Sequence, residues 1–230
     1  MRTLLVIPAY NEEGSLETTI SGIASSSPGV DFLIVNDGST DATAEICRRN
    51  EYPFLDLPVN LGLAGAFQTG MKYAYRHGYE CVIQFDADGQ HLPEYIPLLE
   101  RAVAENDIVI GSRFVGERKP LSMRMIGSNL IEGAIKVTTG KRIKDPTSGM
   151  RAFNSRMIKL MAKGLNYGPE PDTVSYLIKR ADAKVVEVPV KMAERIAGES
   201  YLNIGNSVKY MLRMTISILF MQIIRKKIGE

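Results

Sequence analysis

Glu80-Cys81-Val82-Ile83-Gln84-Phe85-Asp86-Ala87-Asp88-Gly89-Gln90-His91 is the stretch on which the reading of this chain turns. An apolar run ends abruptly in two carboxylates, followed by a glycine, an amide and an imidazole. A strand interior cannot hold that cluster cheaply, because unpaired buried charges cost several kcal/mol. The tip of a strand that opens into a cleft can hold it. A divalent cation there would compensate both carboxylates, and a Mg²⁺ or Mn²⁺ site commonly pairs one or two carboxylates with substrate phosphates. The stretch points to a site for a metal and a diphosphate.

Working outward, the first half alternates apolar bursts with amphipathic stretches, the pattern of βαβ units around a parallel sheet. Strands are expected at Thr3 to Ala9, Asp31 to Asn36, Phe54 to Leu57, Glu80 to Phe85 and Asp107 to Gly111. Helices are expected at Glu12 to Ser26, Asp41 to Asn50, Leu63 to Arg76 and Pro93 to Glu105. The second half is looser. Ser122 to Thr139, Asn154 to Lys163 and Asp172 to Ala181 read as helices, and Lys184 to Val190 as a strand. A long helical candidate runs from Asn203 to Lys227, with Ile204, Val208, Met211, Leu212, Leu219 and Ile223 on a broad apolar stripe. We expect one domain over 1–200 and an amphipathic tail over 201–230.

The bulk numbers agree with an ordinary globular chain. Of 230 residues, 45% are hydrophobic and 23% charged, enough for a sizeable core without a disulfide or structural metal. The net charge of +2 is too small to argue for nucleic acid. Cys47 and Cys81 fall in a helix and a strand, as expected of reduced thiols in a cytoplasmic protein. The chain starts directly with a strand, so no signal peptide is expected. No apolar run reaches the ~20 residues that a membrane span needs.

Polar clusters sit wherever the first five strands end: Pro8-Ala9-Tyr10-Asn11-Glu12-Glu13, Asn36-Asp37-Gly38-Ser39-Thr40-Asp41, Asn60-Leu61-Gly62-Leu63-Ala64-Gly65, the acidic motif, and Gly111-Ser112-Arg113. Ligands of doubly wound sheets bind beyond these ends. Any one cluster could be turn chemistry, but five in succession suggest a shared site. The first turn lacks G-x-G-x-x-G and the chain lacks a P-loop, which argues against a dinucleotide dehydrogenase and a standard nucleoside triphosphatase.

Taken in order, Ile7 to Glu13, Asn36 to Asp41 and Asp86-Ala87-Asp88 resemble the motif series of the family-two nucleotide-sugar glycosyltransferases with the GT-A fold. Gln84 to His91, Gly111 to Arg113, Asp145 to Arg151 and Arg195-Ile196-Ala197-Gly198-Glu199-Ser200 resemble the dolichyl- or polyprenyl-phosphate sugar synthase branch. Tyr201 stands where that branch often carries Lys. The resemblance implies a Rossmann-like, mostly parallel sheet flanked by helices, and an inverting, metal-dependent glycosyltransferase. Pro8, Tyr10, Glu12, Asp37, Asp86 and Arg113 would hold the nucleotide sugar. Asp86, Asp88 and Gln90 would hold Mg²⁺ or Mn²⁺. Arg124, Arg151, Arg195 and Ser200 would contact the acceptor or its phosphate. The implied acceptor is lipid-linked, either a polyprenyl phosphate or a growing cell-surface glycan.

Tyr167-Gly168-Pro169-Glu170-Pro171-Asp172 reads as a stiff turn, because two prolines bracket Glu170. Glu170 or Asp172 would serve as general base for a hydroxyl acceptor, whereas an ionised phosphate would need none. The same residues also suit a helix start. His91 fits either a metal ligand or a group that orients one. Met214 to Ile224 is uncharged and flanked by Arg213 and Arg225-Lys226-Lys227, so the tail would lie on a cytoplasmic membrane surface or pack on protein, including a second copy. Two other functions use the same residue types: a nucleotidyltransferase, and a silent nucleotide-sugar-binding subunit. The acidic Tyr10-Asn11-Glu12-Glu13 segment lacks the basic glycine-rich loop of the first, and intact carboxylates argue against the second.

Overall fold

The computed structural model describes residues 1–117, 119–120, 123–164, 167–196 and 204–224. The strands are β1 (Thr3–Ala9), β2 (Asp31–Asn36), β3 (Phe54–Asp56), β4 (Cys81–Gln84), β5 (Ile108–Ser112), β6 (Arg151–Asn154) and β7 (Val185–Pro189). The helices are α1 (Leu16–Ser26), α2 (Thr43–Arg49), α3 (Gly62–Arg76), α4 (Ile96–Val103), α5 (Met123–Thr139), α6 (Ser155–Lys163), α7 (Pro171–Ala181) and α8 (Ile204–Ile224). A short 3₁₀ turn at Pro93–Tyr95 leads into α4.

The strands form one seven-stranded sheet in the order β3-β2-β1-β4-β6-β5-β7. Strand side chains alternate between faces, and the burial follows. Leu4, Val6, Leu33 and Val35 face one core with Phe67, Met71, Ile131, Leu177, Met211, Met214 and Ile218. Leu5, Ile7, Ile34 and Ile83 face the other with Leu16, Ile20, Ile96 and Leu99. Both faces of the central strands are covered, which is why these strands read as continuous apolar runs. At Gly70 of α3 an added Cβ would collide with Val6, so this glycine lets the helix sit close on β1.

The six strands read from the sequence lie within a residue of their expected ends. Two differences bear on function. The first helix starts at Leu16, not Glu12, because the chain first turns through Asn11 in the left-handed region (φ 56). The sequence reading also had no strand at β6. This strand runs antiparallel to both β4 and β5 and is inserted between them, while the other pairings are parallel. Four residues are too few for the alternation pattern to register.

The long C-terminal helix α8 packs against α5 and α7. Its face divides: Met211, Met214 and Ile218 enter the core, while Leu212, Ile216, Leu219 and Phe220 stay exposed.

At the start of β5, away from the strand tips, Asp107 clamps three elements. Its carboxylate accepts from Arg156 Nε and Nη2 (2.9 and 2.6 Å), Asn154 Nδ2 (2.9 Å) and the Lys184 N–H (2.8 Å). Burial alone would raise this carboxyl, but the hydrogen bonds outweigh it and bring it down to about 2. A depressed carboxyl contributes stability that is complete above its ordinary value of 3.8 and fades as pH falls towards 2. Asp107→Asn is therefore expected to cost roughly 1–3 kcal/mol in urea unfolding at pH 7, with the difference shrinking between pH 4 and pH 2. An equal cost at both ends of that range would contradict the assignment.

Candidate active site

The strand order reverses between β1 and β4: β2 and β3 lie on one side of β1, and every later strand lies on the other. Such a reversal leaves a crevice beyond the strand tips. The loops after β1 and β2 are tied together beside it. The Asn11 N–H donates to Ser39 Oγ (2.9 Å), the Thr40 N–H to Asn11 Oδ1 (2.8 Å), the Glu12 N–H to Thr43 Oγ1 (2.9 Å) and the Ala42 N–H to Glu13 Oε2 (2.9 Å). Asp37 is buried, and its Oδ1 accepts from the Leu61 N–H (2.7 Å). Gly38 (φ 68) allows this approach, since a Cβ there would lie 2.7 Å from the Asn60 nitrogen. Pro8 ends up half-buried in β1, and Tyr10 is exposed at the rim.

Across the crevice stands the acidic motif. His91 is buried and turned back on Asp86: its Nδ1 accepts the Asp86 N–H (2.9 Å), which leaves the ring proton of the neutral form on Nε2, 3.4 Å from Asp86 Oδ2. His91 thus aims the Asp86 carboxylate and does not stand beside it as a ligand. Gly149 closes the other side, where a Cβ would fall 2.6 Å from Asp86 Oδ2 and 3.2 Å from His91 Nε2. Asp88 is only 4% exposed. Its Oδ1 accepts the Gln90 N–H (2.9 Å), and its Oδ2 faces Arg195 Nη2 (2.8 Å). Glu12 Oε1 lies 3.8 Å from Arg195 Nη1, and Ser15 Oγ donates to Glu12 Oε2 (2.6 Å). Burial, with the nearby charges of Asp88 and Asp86, raises the Glu12 carboxyl against the pull of Ser15 and Arg195.

This donor set suits a hard divalent cation. Asp86 and Asp88 offer carboxylate oxygens, and Asp88 already faces a positive group. Among the described residues no group of three or more His, Cys, Asp or Glu is arranged to hold a metal alone. A cation here would draw its remaining ligands from a substrate or water, the habit of Mg²⁺ and Mn²⁺. Gln90 contributes its backbone to the turn, its carbonyl accepting the Ala193 N–H (3.0 Å).

The arginines divide. Arg113 is locked to the buried Asp145, with Nε and Nη2 at 2.8 and 2.7 Å from its two oxygens. Asp145 is held in turn by its own N–H, which donates to Glu187 Oε1 (2.8 Å). Arg151 is enclosed, and its guanidinium donates to the carbonyls of Ser148, Pro146 and Pro169. Burial lowers its pKa, against the charges of Tyr210, Asp145, Glu170 and Asp86. That environment makes Arg151 an internal tie, with its donors turned to protein and not to an acceptor. Among the described arginines, Arg195 is the one that pairs with the acidic motif. The Arg124 side chain and Ser200 lie outside the described residues.

Glu170 caps α7 and is bounded by Gly168, where a Cβ would overlap its carboxylate. Burial and the Asp172 charge raise the Glu170 carboxyl, against Arg213 and Arg151. Asp172 is committed on both oxygens: Oδ1 accepts the Thr173 N–H (2.8 Å) and Oδ2 accepts from Ser217 Oγ of α8 (2.6 Å). Tyr210, pushed up to about 12 mainly by burial, completes this cluster. The sequence reading missed the Arg195–Asp88 pair, the Asp145 anchor and the α8 contributions. Asp88, Arg195 and Asp145 each stood in a motif run, but the sequence carried no signal of which partner each would take.

Sheet, crevice and paired carboxylates define a GT-A type glycosyltransferase. Residues 4–161 match the family model for glycosyl transferase family 2, and the chain belongs to that family. It is similar to undecaprenyl-phosphate mannosyltransferase of Micrococcus luteus, at 36% identity over 89% of both chains. Polyprenol monophosphomannose synthase of Mycolicibacterium smegmatis is 29% identical, covering 93% of this chain and 85% of that one. Among solved structures, glucosyl-3-phosphoglycerate synthase from Mycobacterium tuberculosis, in complex with Mn²⁺, uridine diphosphate and phosphoglyceric acid, matches with a TM-score of 0.71. It covers 99% of this chain and 80% of that chain at 17% identity, a likeness of fold.

Gly149→Ala is expected to push Asp86 and His91 apart and, if Asp86 holds a metal, to cut transferase activity about 10–100-fold, the usual cost of disturbing groups that orient a ligand. Gly133→Ala, where a Cβ meets nothing within 4 Å, should change nothing. Equal activity of the two variants in a donor-turnover assay would contradict this geometry.

Proposed function

We propose that the chain transfers a sugar, with inversion, from a nucleoside-diphosphate sugar to a polyprenyl phosphate. The observation that carries the reading is the pair Asp86 and Asp88 at the tip of β4, across the switch-point crevice from Glu12 and Asp37. Glu12, Asp37 and Tyr10 would hold the base and ribose. Asp86 and Asp88 would hold a divalent ion, which when bound would act as a Lewis acid on the leaving diphosphate. His91 keeps Asp86 aimed, and Arg195, beside Asp88, would meet the phosphates. The lipid acceptor is supported by the names of the Micrococcus and Mycolicibacterium relatives, and the metal by the Mn²⁺ in the solved neighbour.

A phosphate acceptor brings an oxygen that is already ionised, so no base is needed. Glu170, with its raised carboxyl, would instead be competent to deprotonate a hydroxyl. The test offers GDP-, UDP- and dTDP-linked radiolabelled sugars with a polyprenyl phosphate and Mn²⁺, and measures label extracted into organic solvent. Lipid-borne label from one donor class is expected, with Glu170→Gln within about tenfold of the parent in kcat/KM. No lipid-borne label from any donor would contradict the acceptor. A loss of roughly 10²–10⁴ in Glu170→Gln would favour a hydroxyl acceptor with Glu170 as base.

Among the described residues no helix is long and apolar enough to cross a membrane. We propose that the enzyme meets its lipid acceptor by docking on an anionic bilayer through α5 and α8. Ile126, Leu130 and Val137 of α5 and Leu212, Ile216 and Phe220 of α8 are exposed. Lys136, Lys209 and Arg213 are exposed on the same helices. Helix α8 carries no acidic residue, and Glu132, the one carboxylate of α5, is paired with Lys119 (2.8 Å) and Arg142 (2.6 Å). Apolar side chains with basic and no free acidic neighbours suit a negatively charged lipid surface. Sedimentation with vesicles containing phosphatidylglycerol should be lost in the Ile216→Ser, Phe220→Ser double variant. A stable dimer by light scattering with no vesicle binding would contradict the proposal.

A further inference from the structure

The segment from Met192 to Ile196 lies across the acidic motif like a strap. His91 and Met192 form an antiparallel bridge, the Ala193 N–H donates to the Gln90 carbonyl (3.0 Å) and the Ile196 N–H to the Asp88 carbonyl (3.0 Å). The Ile196 side chain covers Gly89 (φ 80), where any Cβ would collide with it. The backbone of the strap is thus fixed to the motif on both sides of Arg195. The Arg195 side chain reaches back under it: Nη2 is 2.8 Å from Asp88 Oδ2, and Nη1 is 3.8 Å from Glu12 Oε1.

The charge balance gives this contact meaning. The two terminal nitrogens of Arg195 face one carboxylate each, Asp88 and Glu12, so the guanidinium lies between them. Among the described residues, one arginine forms ion pairs with Asp88 and Glu12. A buried carboxylate left without a positive or hydrogen-bonding partner is costly, and Asp88 is nearly inaccessible. Arg195 is different: its side chain keeps 30% of its exposure. It can swing on a fixed backbone, whereas Asp88 cannot move without breaking the turn.

We infer that Arg195 is a tethered cation that occupies the Asp88 oxygen a divalent metal would take, so that metal and guanidinium compete for one carboxylate. This rests on the metal-dependent reading above and goes beyond it. Arg195 supplies positive charge to Asp88, and a bound metal would supply it in the arginine's place. A metal on Asp88 would leave the guanidinium free to meet a diphosphate, whose oxygens its paired donors match. Arg195 thereby links occupation of the metal site to grip on the donor phosphates.

The linkage has opposite signs for the two ligands, which makes it testable without measuring turnover. Mn²⁺ binding is followed by electron paramagnetic resonance, with and without a nucleoside diphosphate. In Arg195→Gln, Mn²⁺ alone should bind about tenfold more tightly, since a competing charge a few ångströms away is gone. The diphosphate should bind the Mn²⁺-loaded variant more weakly than the Mn²⁺-loaded parent. Arg195→Lys keeps the charge and should keep the parent Mn²⁺ affinity, which controls for loss of fold. Unchanged or weaker Mn²⁺ binding in Arg195→Gln, with the parent binding Mn²⁺ normally, overturns the inference alone. Absence of Mn²⁺ binding in the parent overturns it together with the metal part of the proposed function.

Discussion

The rest of the structure is arranged around the cost of placing two carboxylates at the end of a buried strand. Asp86 and Asp88 follow directly on β4, whose residues are all buried, and Asp88 itself is nearly sealed. A fold can keep such groups only by giving them fixed donors and positive charge. Here the donors are the Gln90 N–H, the Gln84 amide (3.2 Å from Asp86 Oδ1) and the His91 ring, and the charge is Arg195. Among the described residues, the arginine paired with Asp88 keeps 30% of its side-chain exposure, whereas Asp88 is nearly sealed.

The antiparallel strand β6 explains how the second half of the chain reaches this site. Inserted next to β4, it places Arg151 opposite Gln84 and brings the turn before it, with Gly149, against Asp86. Arg151 then fastens that turn to the Pro169 carbonyl, next to Glu170. From Glu170 the chain enters α7, whose Asp172 is held by Ser217 of α8. A continuous set of contacts therefore runs from the paired carboxylates Asp86 and Asp88 to the helix whose outer face is apolar. The sheet supplies rigidity, and the polar contacts fix the acidic tip relative to α7 and α8.

Much of this was legible in the sequence, for physical reasons that differ by element. The βαβ half was readable because apolar runs and amphipathic helices carry clear periods. The acidic tip was readable because charge directly after a buried strand has few cheap explanations. The short strand β6 was hidden by its length. Arg113 and Arg151 could not be told apart from Arg195 by residue type, since long-range partners decide what a guanidinium does: Asp145 captures one, three carbonyls capture another, and only the third faces the acidic motif. The capture of Asp172 by Ser217, 45 residues away, likewise belongs to tertiary packing and leaves no local trace. The left-handed turn at Asn11, which delays α1, follows from hydrogen bonds to the next loop.

The most direct measurement is titration calorimetry of the full chain with UDP, GDP and dTDP, each with and without Mn²⁺, alongside Asp88→Ala. The account predicts that one diphosphate binds, that binding requires Mn²⁺, and that the variant loses it. Binding of no diphosphate, or binding that ignores both Mn²⁺ and Asp88, would contradict the claim that the paired carboxylates form a metal–diphosphate site.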